Sequence, residues 1–233
     1  MGYDDQYLQR LQLLTGNIAI NKLKDASVAV IGLGGVGSHA VEALTRSGIG
    51  NITLVDPDCI EKSNLNRQLP ALTSTIGRYK TDIIASRMQD ISPDIHIRKF
   101  TCRYEPLTSD QILDKELDYV VDAIDSIPDK THLIKTCLEK RIPIVSSMGM
   151  ANRINPLMLK IGDIKDTTVC PVARKLRKEL RNYGIETGLE VVYSIEPPLK
   201  TYDDNPGSLG SIIFLPGIAG YLLASLIIQK IIN

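Results

Sequence analysis

The segment that decides the fold is Val28-Ala29-Val30-Ile31-Gly32-Leu33-Gly34-Gly35-Val36-Gly37-Ser38. It begins as an apolar, β-branched strand and ends in a Gly-x-Gly-x-x-Gly turn. Gly32 allows the tight turn, Gly34 lets the backbone approach a phosphate, and Gly37 lets the next helix pack closely on the sheet. Residues 38–44 favour a helix, whose first N–H groups would face an anion. The segment therefore predicts a nucleotide-binding strand–turn–helix unit.

Strand and helix patterns alternate through the first two thirds of the chain. This alternation predicts a doubly wound, mostly parallel, Rossmann-like α/β sheet with right-handed crossovers. We expect residues 1–150 to form the nucleotide-binding region. Residues 151–233 should form a small C-terminal lobe that completes the same domain with a crossover loop, a basic helix and an apolar segment. Strands are predicted at 28–32, 52–56, 95–100, 119–125, 142–146, 158–161 and 189–195, and helices at 10–23, 38–47, 80–91, 109–117, 126–140 and 167–182.

Composition places the chain among soluble globular proteins. Its 233 residues are 43% apolar and 23% charged, which suits one large domain. Lys+Arg and Asp+Glu both number 27, which argues against a wholesale polyanion binder but allows a local basic patch. Four scattered cysteines without a C-x-x-C pair argue against a zinc knuckle and favour a reduced, cytoplasmic setting. The first residues do not resemble a secretory signal.

One apolar segment, residues 212–228, carries no charge. A membrane-spanning helix needs about 20 such residues. Pro216, Gly217 and Gly220 interrupt the segment. We therefore expect a buried strand that turns into a core helix, and the alternative is a peripheral or C-terminal membrane contact.

Polar residues at three predicted strand ends indicate the chemistry. Asp56 ends the predicted second strand. Its separation along the chain from the glycine turn is close to the ~20 residues that suit a ribose-binding carboxylate. That much fits a dinucleotide-dependent dehydrogenase and a nucleoside triphosphate enzyme equally. The donor-rich loop 56–68, followed by Lys80, favours the triphosphate, because charge that develops on phosphates must be met by fixed cations. Asp125, at a third strand end, is suited to Mg²⁺.

Taken together, these motifs resemble the adenylating domain of the E1-like superfamily, which includes the MoeB and ThiF sulfur-carrier activators and ubiquitin-activating enzymes. The resemblance covers roughly residues 8–150 and rests on the glycine turn, Asp56-Pro57-Asp58, Ser63-Asn64-Leu65-Asn66-Arg67-Gln68, Lys80 and Asp122-Ala123-Ile124-Asp125. It implies an enzyme that uses ATP and Mg²⁺. The implied nucleotide-binding residues are Gly32, Gly34, Gly35, Gly37, Asp56, Asp58, Ser63, Asn64, Arg67, Lys80 and Asp122; the implied catalytic residues are Arg67, Lys80, Asp125 and Arg10, with Asp125 at the metal.

Arg10 carries an implication for assembly. The stretch Arg10-Leu11-Gln12-Leu13-Leu14-Thr15-Gly16 resembles the segment whose arginine, in this superfamily, enters the ATP site of the partner subunit. The resemblance therefore implies a homodimer.

The residues beyond 150 resemble one branch of the superfamily. Sulfur-carrier activators usually have a C-x-x-C zinc site there, which this chain lacks. Instead, segments 163–167, 170–177 and 192–196 are similar to those of the tRNA threonylcarbamoyladenosine dehydratases, although Cys170 stands where that family often has Asp. The resemblance implies that a carboxylate on the modified adenosine at tRNA position 37 is adenylated by ATP and then cyclised with loss of AMP. No cysteine lies in segment 206–212, so a thioester step at that position is excluded.

Other interpretations stay open. The first is adenylation of the C-terminal carboxylate of a ubiquitin-like sulfur-carrier protein, and the second is a non-enzymatic ATP-binding regulatory dimer. A sulfur-transfer partner, and a role for Cys59 or Cys170, are not decided by the sequence. A basic run in the helix predicted at 167–182 is either a solvated face or a contact for tRNA phosphates. Its cationic residues are Arg174, Lys175, Arg177, Lys178 and Arg181.

Overall fold

A computed structural model describes residues 3–114, 116–202 and 209–233. Within these ranges a seven-stranded sheet carries helices on both faces. The strands are β1 (Ser27–Ile31), β2 (Asn51–Val55), β3 (His96–Phe100), β4 (Tyr119–Asp122), β5 (Ile144–Ser147), β6 (Leu159–Asp163) and β7 (Glu190–Ser194). The α-helices are α1 (Gln9–Asp25), α2 (Gly37–Arg46), α3 (Lys80–Ile91), α4 (Ser109–Ile112), α5 (Ile127–Lys140), α6 (Pro171–Arg181) and α7 (Phe214–Ile232).

The strand order is β3-β2-β1-β4-β5-β7-β6, and every pair is parallel except β6 with β7. The chain progresses outward from β1 in one direction to β3 and then resumes on the other side of β1 with β4. In open α/β sheets the crevice beyond such a reversal is where ligands bind. The predicted doubly wound, mostly parallel sheet is confirmed, and its reversal point lies between β1 and β4.

Alternate residues of each central strand enter two separate cores. In β1, Val28 and Val30 pack in the layer formed with α2, α3 and α7, whereas Ala29 and Ile31 pack in the layer formed with α4, α5 and α6. Successive strand residues point to opposite faces, so a strand covered on both sides must be apolar throughout. This double burial is the physical reason for the uninterrupted apolar run that precedes Gly32.

Residues beyond 150 share this sheet. β7 pairs with β5 in parallel, and β6 closes the edge in antiparallel register, with Ile161 opposite Val192. α7 packs chiefly against α2 and also against α1. The C-terminal third therefore contributes both to the sheet and to the layer that covers the glycine turn.

The helix predicted at 109–117 ends at Ile112 in the structure. Two further predicted elements are shorter for identifiable reasons. The basic helix begins at Pro171 rather than at residue 167, because proline fits the first helical position and disfavours helix in the residue before it. The strand expected to run to Asp125 ends at Asp122, whose Oδ1 accepts a hydrogen bond from the N–H of Ile124 at 3.1 Å. This bond turns the chain out of the sheet.

The expectation of a strand at the start of the apolar segment is wrong. Residues 209–213 form no strand, and the segment from Phe214 onward is the single helix α7. Pro216 lies in the first turn, where its missing N–H leaves no intrahelical bond unmade. Gly220 sits at the crossing of α7 over α2, where a Cβ would lie 2.4 Å from the carbonyl oxygen of Val36. Pro216 therefore belongs to the start of the helix, and Gly220 allows the helix to pack closely on α2.

α7 is the one helix in the described ranges that is long and apolar enough to cross a membrane, and 44% of its most apolar window is buried inside the protein. Leu215, Ala219, Leu223 and Ile227 on this helix are all inaccessible to solvent. Packing against the sheet and α2 accounts for this apolar face.

The α2–α7 crossing generates a stability prediction. Gly220→Ala should lower the free energy of unfolding by about 1–3 kcal/mol, because the new methyl group would overlap the Val36 carbonyl and the backbone of α2. Gly162→Ala is the matched control, since a Cβ there meets only the Tyr193 ring at ordinary contact distance, 3.5 Å. Urea denaturation measures both variants, and equal losses would show that the crossing is not close.

Candidate active site

A cleft of about 630 Å³ opens beyond the carboxyl ends of β1, β2 and β4. It lies at the reversal point of the sheet, as expected for this class of fold. Many of the residues singled out from the sequence line it together. They are Gly32, Gly34, Gly35, Asp56, Asp58, Asn64, Arg67, Lys80 and Asp125, with Cys59.

The glycines of the turn have distinct structural reasons. Gly32 has φ +90°, and a Cβ there would lie 2.7 Å from the carbonyl oxygen of Ala123. A Cβ on Gly37 would lie 1.8 Å from the carbonyl oxygen of Gly32, so a glycine is needed where the two ends of the turn approach each other. Gly37 does not line the cleft. At Gly34 the nearest atom to a Cβ would be Gln68 Nε2, at 3.8 Å. Gly34 therefore leaves the backbone open to the cleft; that a phosphate lies against it stays a prediction.

Asp56 fastens the glycine turn to the end of β2. Its Oδ2 accepts a hydrogen bond from the Leu33 N–H at 2.6 Å, and its Oδ1 accepts one from the Asp58 N–H at 2.9 Å. The side chain is almost wholly buried, and this burial raises the pKa of the carboxyl above its ordinary value, while Lys80 opposes the shift. Asp56 lines the cleft at the end of β2, which is the position of the ribose-binding carboxylate in dinucleotide-binding folds.

Lys80, the first residue of α3, is buried between two carboxylates. Its Nζ lies 2.7 Å from Asp58 Oδ2 and 3.5 Å from Asp56 Oδ1. The carboxylate of Asp58 is largely exposed, whereas that of Asp56 is buried. A phosphate that approaches Lys80 would therefore compete with Asp58 and leave Asp56 in place.

Arg67 is held by the loop that carries it. Its Nη1 donates to the carbonyl oxygen of Ser63 at 2.8 Å and to Asn66 Oδ1 at 2.9 Å. His39 on α2 places its Nε2 3.3 Å from the Arg67 carbonyl oxygen, and burial lowers the pKa of this imidazole. The arginine is thus positioned from both sides before any ligand arrives.

Two predicted nucleotide-binding residues in or near this loop differ in position. Asn64 is buried at the cleft, where its Oδ1 accepts a bond from the Glu61 N–H at 3.2 Å. Ser63 is exposed and does not line the cleft; its hydroxyl donates to Glu61 Oε2, and its carbonyl oxygen anchors Arg67. The structure gives Ser63 the role of a turn residue.

Asp122 lies beneath the cleft rather than in it, in contrast to the sequence expectation that it contacts the nucleotide. It is wholly buried, and its Oδ2 accepts bonds from Lys130 Nζ at 2.7 Å and Ser146 Oγ at 2.6 Å. Lys130, on α5, is equally buried. Since Asp122 Oδ1 bonds the Ile124 N–H, this pair fixes the turn that presents Asp125 to the cleft.

Asp125 is the predicted metal residue. It is exposed at the cleft, and no cluster of three or more His, Cys, Asp or Glu side chains that could hold a metal ion occurs among the described residues. Mg²⁺ commonly binds through one or two carboxylates together with substrate phosphates and water. A single exposed carboxylate beside a phosphate-binding turn fits that donor set.

One wall of the cleft, formed by the residues after β3, was not predicted from the sequence. Arg103 Nε donates to Asp129 Oδ2 at 2.7 Å and its Nη2 to Ser126 Oγ at 3.2 Å, and all three residues line the cleft with Cys102 and Tyr104. Gln68, also at the cleft, is buried with Oε1 unpartnered in the described part of the chain. The signal that could have found Arg103 is its position just beyond the end of a parallel strand.

Other predicted residues lie outside this cleft. Arg10 is exposed on α1 and is not among the cleft residues. Cys170 is buried, with its Sγ 3.9 Å from the carbonyl oxygen of Gly149. On α6, Arg174, Lys175, Lys178 and Arg181 are exposed, whereas Arg177 donates to the carbonyl oxygen of Thr167 at 2.7 Å.

A glycine turn, a buried carboxylate and two cations at the reversal point of a parallel sheet are typical of nucleotide-binding sites, and comparison with known proteins identifies the family. The sequence pattern of the ThiF family matches residues 3–233, so the chain belongs to the ThiF family. The tRNA threonylcarbamoyladenosine dehydratase of Bacillus subtilis (strain 168) is 39% identical over 238 aligned positions, which cover 96% of this chain and 94% of that protein.

Solved structures give the same result. Escherichia coli tRNA N6-threonylcarbamoyladenosine dehydratase in complex with ATP superposes with a TM-score of 0.92 at 33% identity, covering 97% of this chain and 94% of that one. Its complex with AMP gives a TM-score of 0.93 at 32% identity with the same coverage.

The buried pair beneath the cleft generates the second prediction. Lys130→Met should cost about 3–5 kcal/mol of unfolding free energy, because it leaves the Asp122 carboxylate buried without its cation. The double variant with Asp122→Asn should recover part of that loss. Lys135→Met is the control on the same helix, since Lys135 is only partly buried and its partner Glu139 is exposed, so the change leaves no buried charge unpaired. Urea denaturation of the two single variants and the double variant measures the coupling, and strictly additive losses would contradict it.

Proposed function

We propose that this protein uses ATP to adenylate the carboxylate of N6-threonylcarbamoyladenosine in tRNA, at position 37, and so drives its cyclisation with net loss of water. The supporting observation is the ATP-bound dehydratase whose structure matches 97% of this chain, including the residues beyond 150. The cleft supplies what this chemistry needs: an open glycine turn, a ribose-side carboxylate and two cations.

In the first step a carboxylate oxygen of the substrate attacks the α-phosphorus of ATP. A new P–O bond forms, the bond to the bridging oxygen breaks, and pyrophosphate leaves. The open backbone at Gly34 and the N-terminus of α2 face the phosphates. Arg67 and Lys80 offset the repulsion between the two anions and the charge on the leaving pyrophosphate.

In the second step the carbamoyl oxygen attacks the activated acyl carbon. The ring closes, AMP leaves with the electron pair of the broken C–O bond, and the carbamoyl nitrogen loses its proton. Adenylation is what makes this closure feasible, since AMP is a far better leaving group than hydroxide. The site must therefore keep water from the acyl-adenylate until the ring has formed.

Mg²⁺, when bound, would neutralise charge on the phosphates. The contribution of this chain would be the Asp125 carboxylate, presented by a turn that the buried Asp122–Lys130 pair holds in place. The fit rests on one carboxylate with phosphate oxygens completing the coordination.

We further propose that the active unit is a homodimer. α1 carries Leu13, Leu14 and Ile18 with 84%, 82% and 77% of their surface exposed, an apolar face that a second copy would cover. Arg10 lies in the first part of α1, which is broken at Gly16 (φ 82°), and outside the cleft of its own chain. In the proposed dimer, as the resemblance to the superfamily implies, Arg10 of one copy enters the ATP site of the other.

The exposed cations of α6 are the proposed contact for tRNA phosphates. Four cations on this helix are exposed to solvent: Arg174, Lys175, Lys178 and Arg181. The first turn of α6 packs against Gly149, and the next two residues after Gly149, Met150 and Ala151, line the cleft. Such contacts add affinity without sequence specificity. Since ATP and tRNA meet in the cytoplasm, we place the reaction there.

The third prediction tests the reaction itself. With ATP, Mg²⁺ and tRNA that carries threonylcarbamoyladenosine, the protein should release AMP and pyrophosphate in equal amounts. Arg67→Ala should lower the rate about 10²–10³-fold, because a fixed cation at the reacting phosphate is lost. Arg78→Ala is the control, since that arginine is exposed and lies outside the cleft.

The same assay separates the alternatives. AMP release stimulated by a carrier protein ending in Gly-Gly, and not by modified tRNA, would replace this proposal with sulfur-carrier activation. Nucleotide binding without AMP formation for either acceptor would favour a regulatory ATP-binding dimer.

The fourth prediction concerns completion of the site by the partner. Arg10→Ala should lower the rate of AMP release as strongly as Arg67→Ala does, about 10²–10³-fold. Mixed dimers of the two variants should regain activity, because one of the two sites then receives both arginines. The mixture is measured after subunit exchange, and activity no higher than that of either variant alone would argue against trans completion.

A further inference from the structure

His39 is a buried titratable side chain behind the nucleotide cleft. It is the third residue of α2, and only 4% of it is exposed. α7 covers it on one side. The Tyr221 ring meets the imidazole edge-on with 5.6 Å between ring centres, and a Cβ on Gly217 would lie 3.3 Å from the imidazole Cε1. The ring is therefore closely packed, and it does not line the cleft itself.

The hydrogen bond of this imidazole decides where its proton lies. Nε2 is 3.3 Å from the Arg67 carbonyl oxygen. A carbonyl oxygen can only accept, so the neutral ring carries its proton on Nε2 and donates it to Arg67. Nδ1 is buried and has no hydrogen-bond partner in the part of the chain that the structure describes. A second proton would bind at Nδ1 and create a buried donor without an acceptor.

The elements packed around His39 also disfavour a second positive charge. The residue lies in the first turn of α2, where the helix dipole is positive. The loop that accepts its hydrogen bond carries the cation of Arg67, and α7 presents the phenol ring of Tyr221. None of these three neighbours supplies a negative charge to an imidazolium.

Glu42, one turn further along α2, is the carboxylate that acts on His39. Its oxygens are already bonded to Arg46 and to Arg87 of α3, at 2.7–2.9 Å. Burial lowers the pKa of His39, and this effect exceeds the opposing effects of the bond to Arg67 and of the Glu42 charge. The ring is therefore neutral at pH 7 and takes up a second proton only on the acid side of about pH 6.5.

The bond from His39 fastens the Arg67 segment to α2. In the described ranges a second bond does the same, from the Leu69 N–H to Ser38 Oγ at 3.3 Å. The Arg67 side chain passes close to the glycine turn, since a Cβ on Gly35 would lie 3.4 Å from Arg67 Cγ. The placement of the Arg67 guanidinium beside the turn therefore depends on these two bonds to α2.

We propose that His39 is a positioning residue for Arg67: in its Nε2–H form it holds the loop of the arginine on α2, and a second proton on the ring releases that loop and slows adenylation. The proposal rests on the proposed function, which places Arg67 at the reacting phosphate. The physical reason is that the imidazolium cannot stay in this packed position with an unpaired Nδ1–H, so it must move away from Arg67.

The first measurement is a ¹⁵N NMR titration of the wild-type protein without nucleotide. The chain has three histidines, at positions 39, 96 and 132, so substitution of each assigns its signals. At pH 7.5 the ring of His39 should carry its proton on Nε2, and it should titrate below the ordinary pKa of about 6.5. A proton on Nδ1 at pH 7.5, whether on a neutral or a charged ring, would overturn the proposal.

The second measurement follows the loop by hydrogen exchange in the wild type and in His39→Gln. The amide nitrogen of glutamine is as many bonds from Cα as Nε2 is, so it can donate to Arg67 at every pH. Between pH 7.5 and pH 5.5 the ratio of wild-type to variant exchange rates for amides 66–69 should rise at least about threefold. His96→Gln is the matched control, since His96 is exposed and lies outside the cleft.

The third measurement is the pH profile of kcat for AMP release, with saturating ATP, Mg²⁺ and modified tRNA. Between pH 7.5 and pH 5.5 the wild type should lose at least about threefold more activity than His39→Gln, because ionisation of the substrates affects both equally. His39→Phe keeps a ring but has no donor. It should be about tenfold slower than the wild type at pH 7.5 and should lack the additional acid loss.

The outcomes separate this inference from the proposed function. Parallel pH profiles, or an exchange ratio that does not change with pH, would overturn the role of His39 and leave the proposed function standing. If the wild type releases no AMP with modified tRNA, the proposed function fails, and the exchange ratio still decides whether His39 holds the loop. Should His39→Gln not fold, His39→Phe decides, since its excess loop exchange over the wild type should shrink as the pH falls to 5.5.

Discussion

The site depends on one buried carboxylate, that of Asp56. It bonds the backbone of the glycine turn through Leu33 and the backbone of the following loop through Asp58. These bonds join the ends of β1 and β2 and set the distance between the phosphate-binding turn and the loop that carries Arg67. Lys80 stands against the same carboxylate, so the cation of α3 shares that reference point. A single side chain thus aligns three elements that are distant in sequence.

The first half of the fold follows from local sequence patterns. The strand before Gly32 is apolar throughout because both of its faces are covered, and Gly32 and Gly37 are required in the turn because a Cβ at either would overlap neighbouring backbone. The helix at Lys80–Ile91 has the predicted ends. Periodicity, glycine spacing and a proline after the helix were sufficient here, since each reports a constraint that acts over a few residues.

The features that could not be predicted from the sequence depend on contacts between segments that are distant along the chain. Asp122 and Asp125 both stand at the carboxyl end of the same apolar strand, β4. Asp122 is buried beneath the cleft with Lys130, whereas Asp125 faces the cleft. The spacing of the two aspartates in the sequence does not show which one is buried, because this depends on Lys130 of the next helix, which pairs with Asp122. Arg103 was missed for a related reason, since its partner Asp129 comes from α5. The strand expected before α7 was an error of the same kind, because only the crossing over α2 explains Gly217 and Gly220.

The contact between α7 and α2 has a consequence for any encounter with lipid. Gly220 packs on the backbone at Val36, Gly217 faces the His39 ring, and His39 in turn reaches the carbonyl of Arg67. The apolar helix α7 thereby supports α2 and, through His39, the loop that carries Arg67. Withdrawal of α7 into a bilayer would strip α2 of its cover and release Arg67 from its support. For this molecule, full insertion of α7 into a bilayer would therefore break a contact on which the position of the Arg67 loop depends.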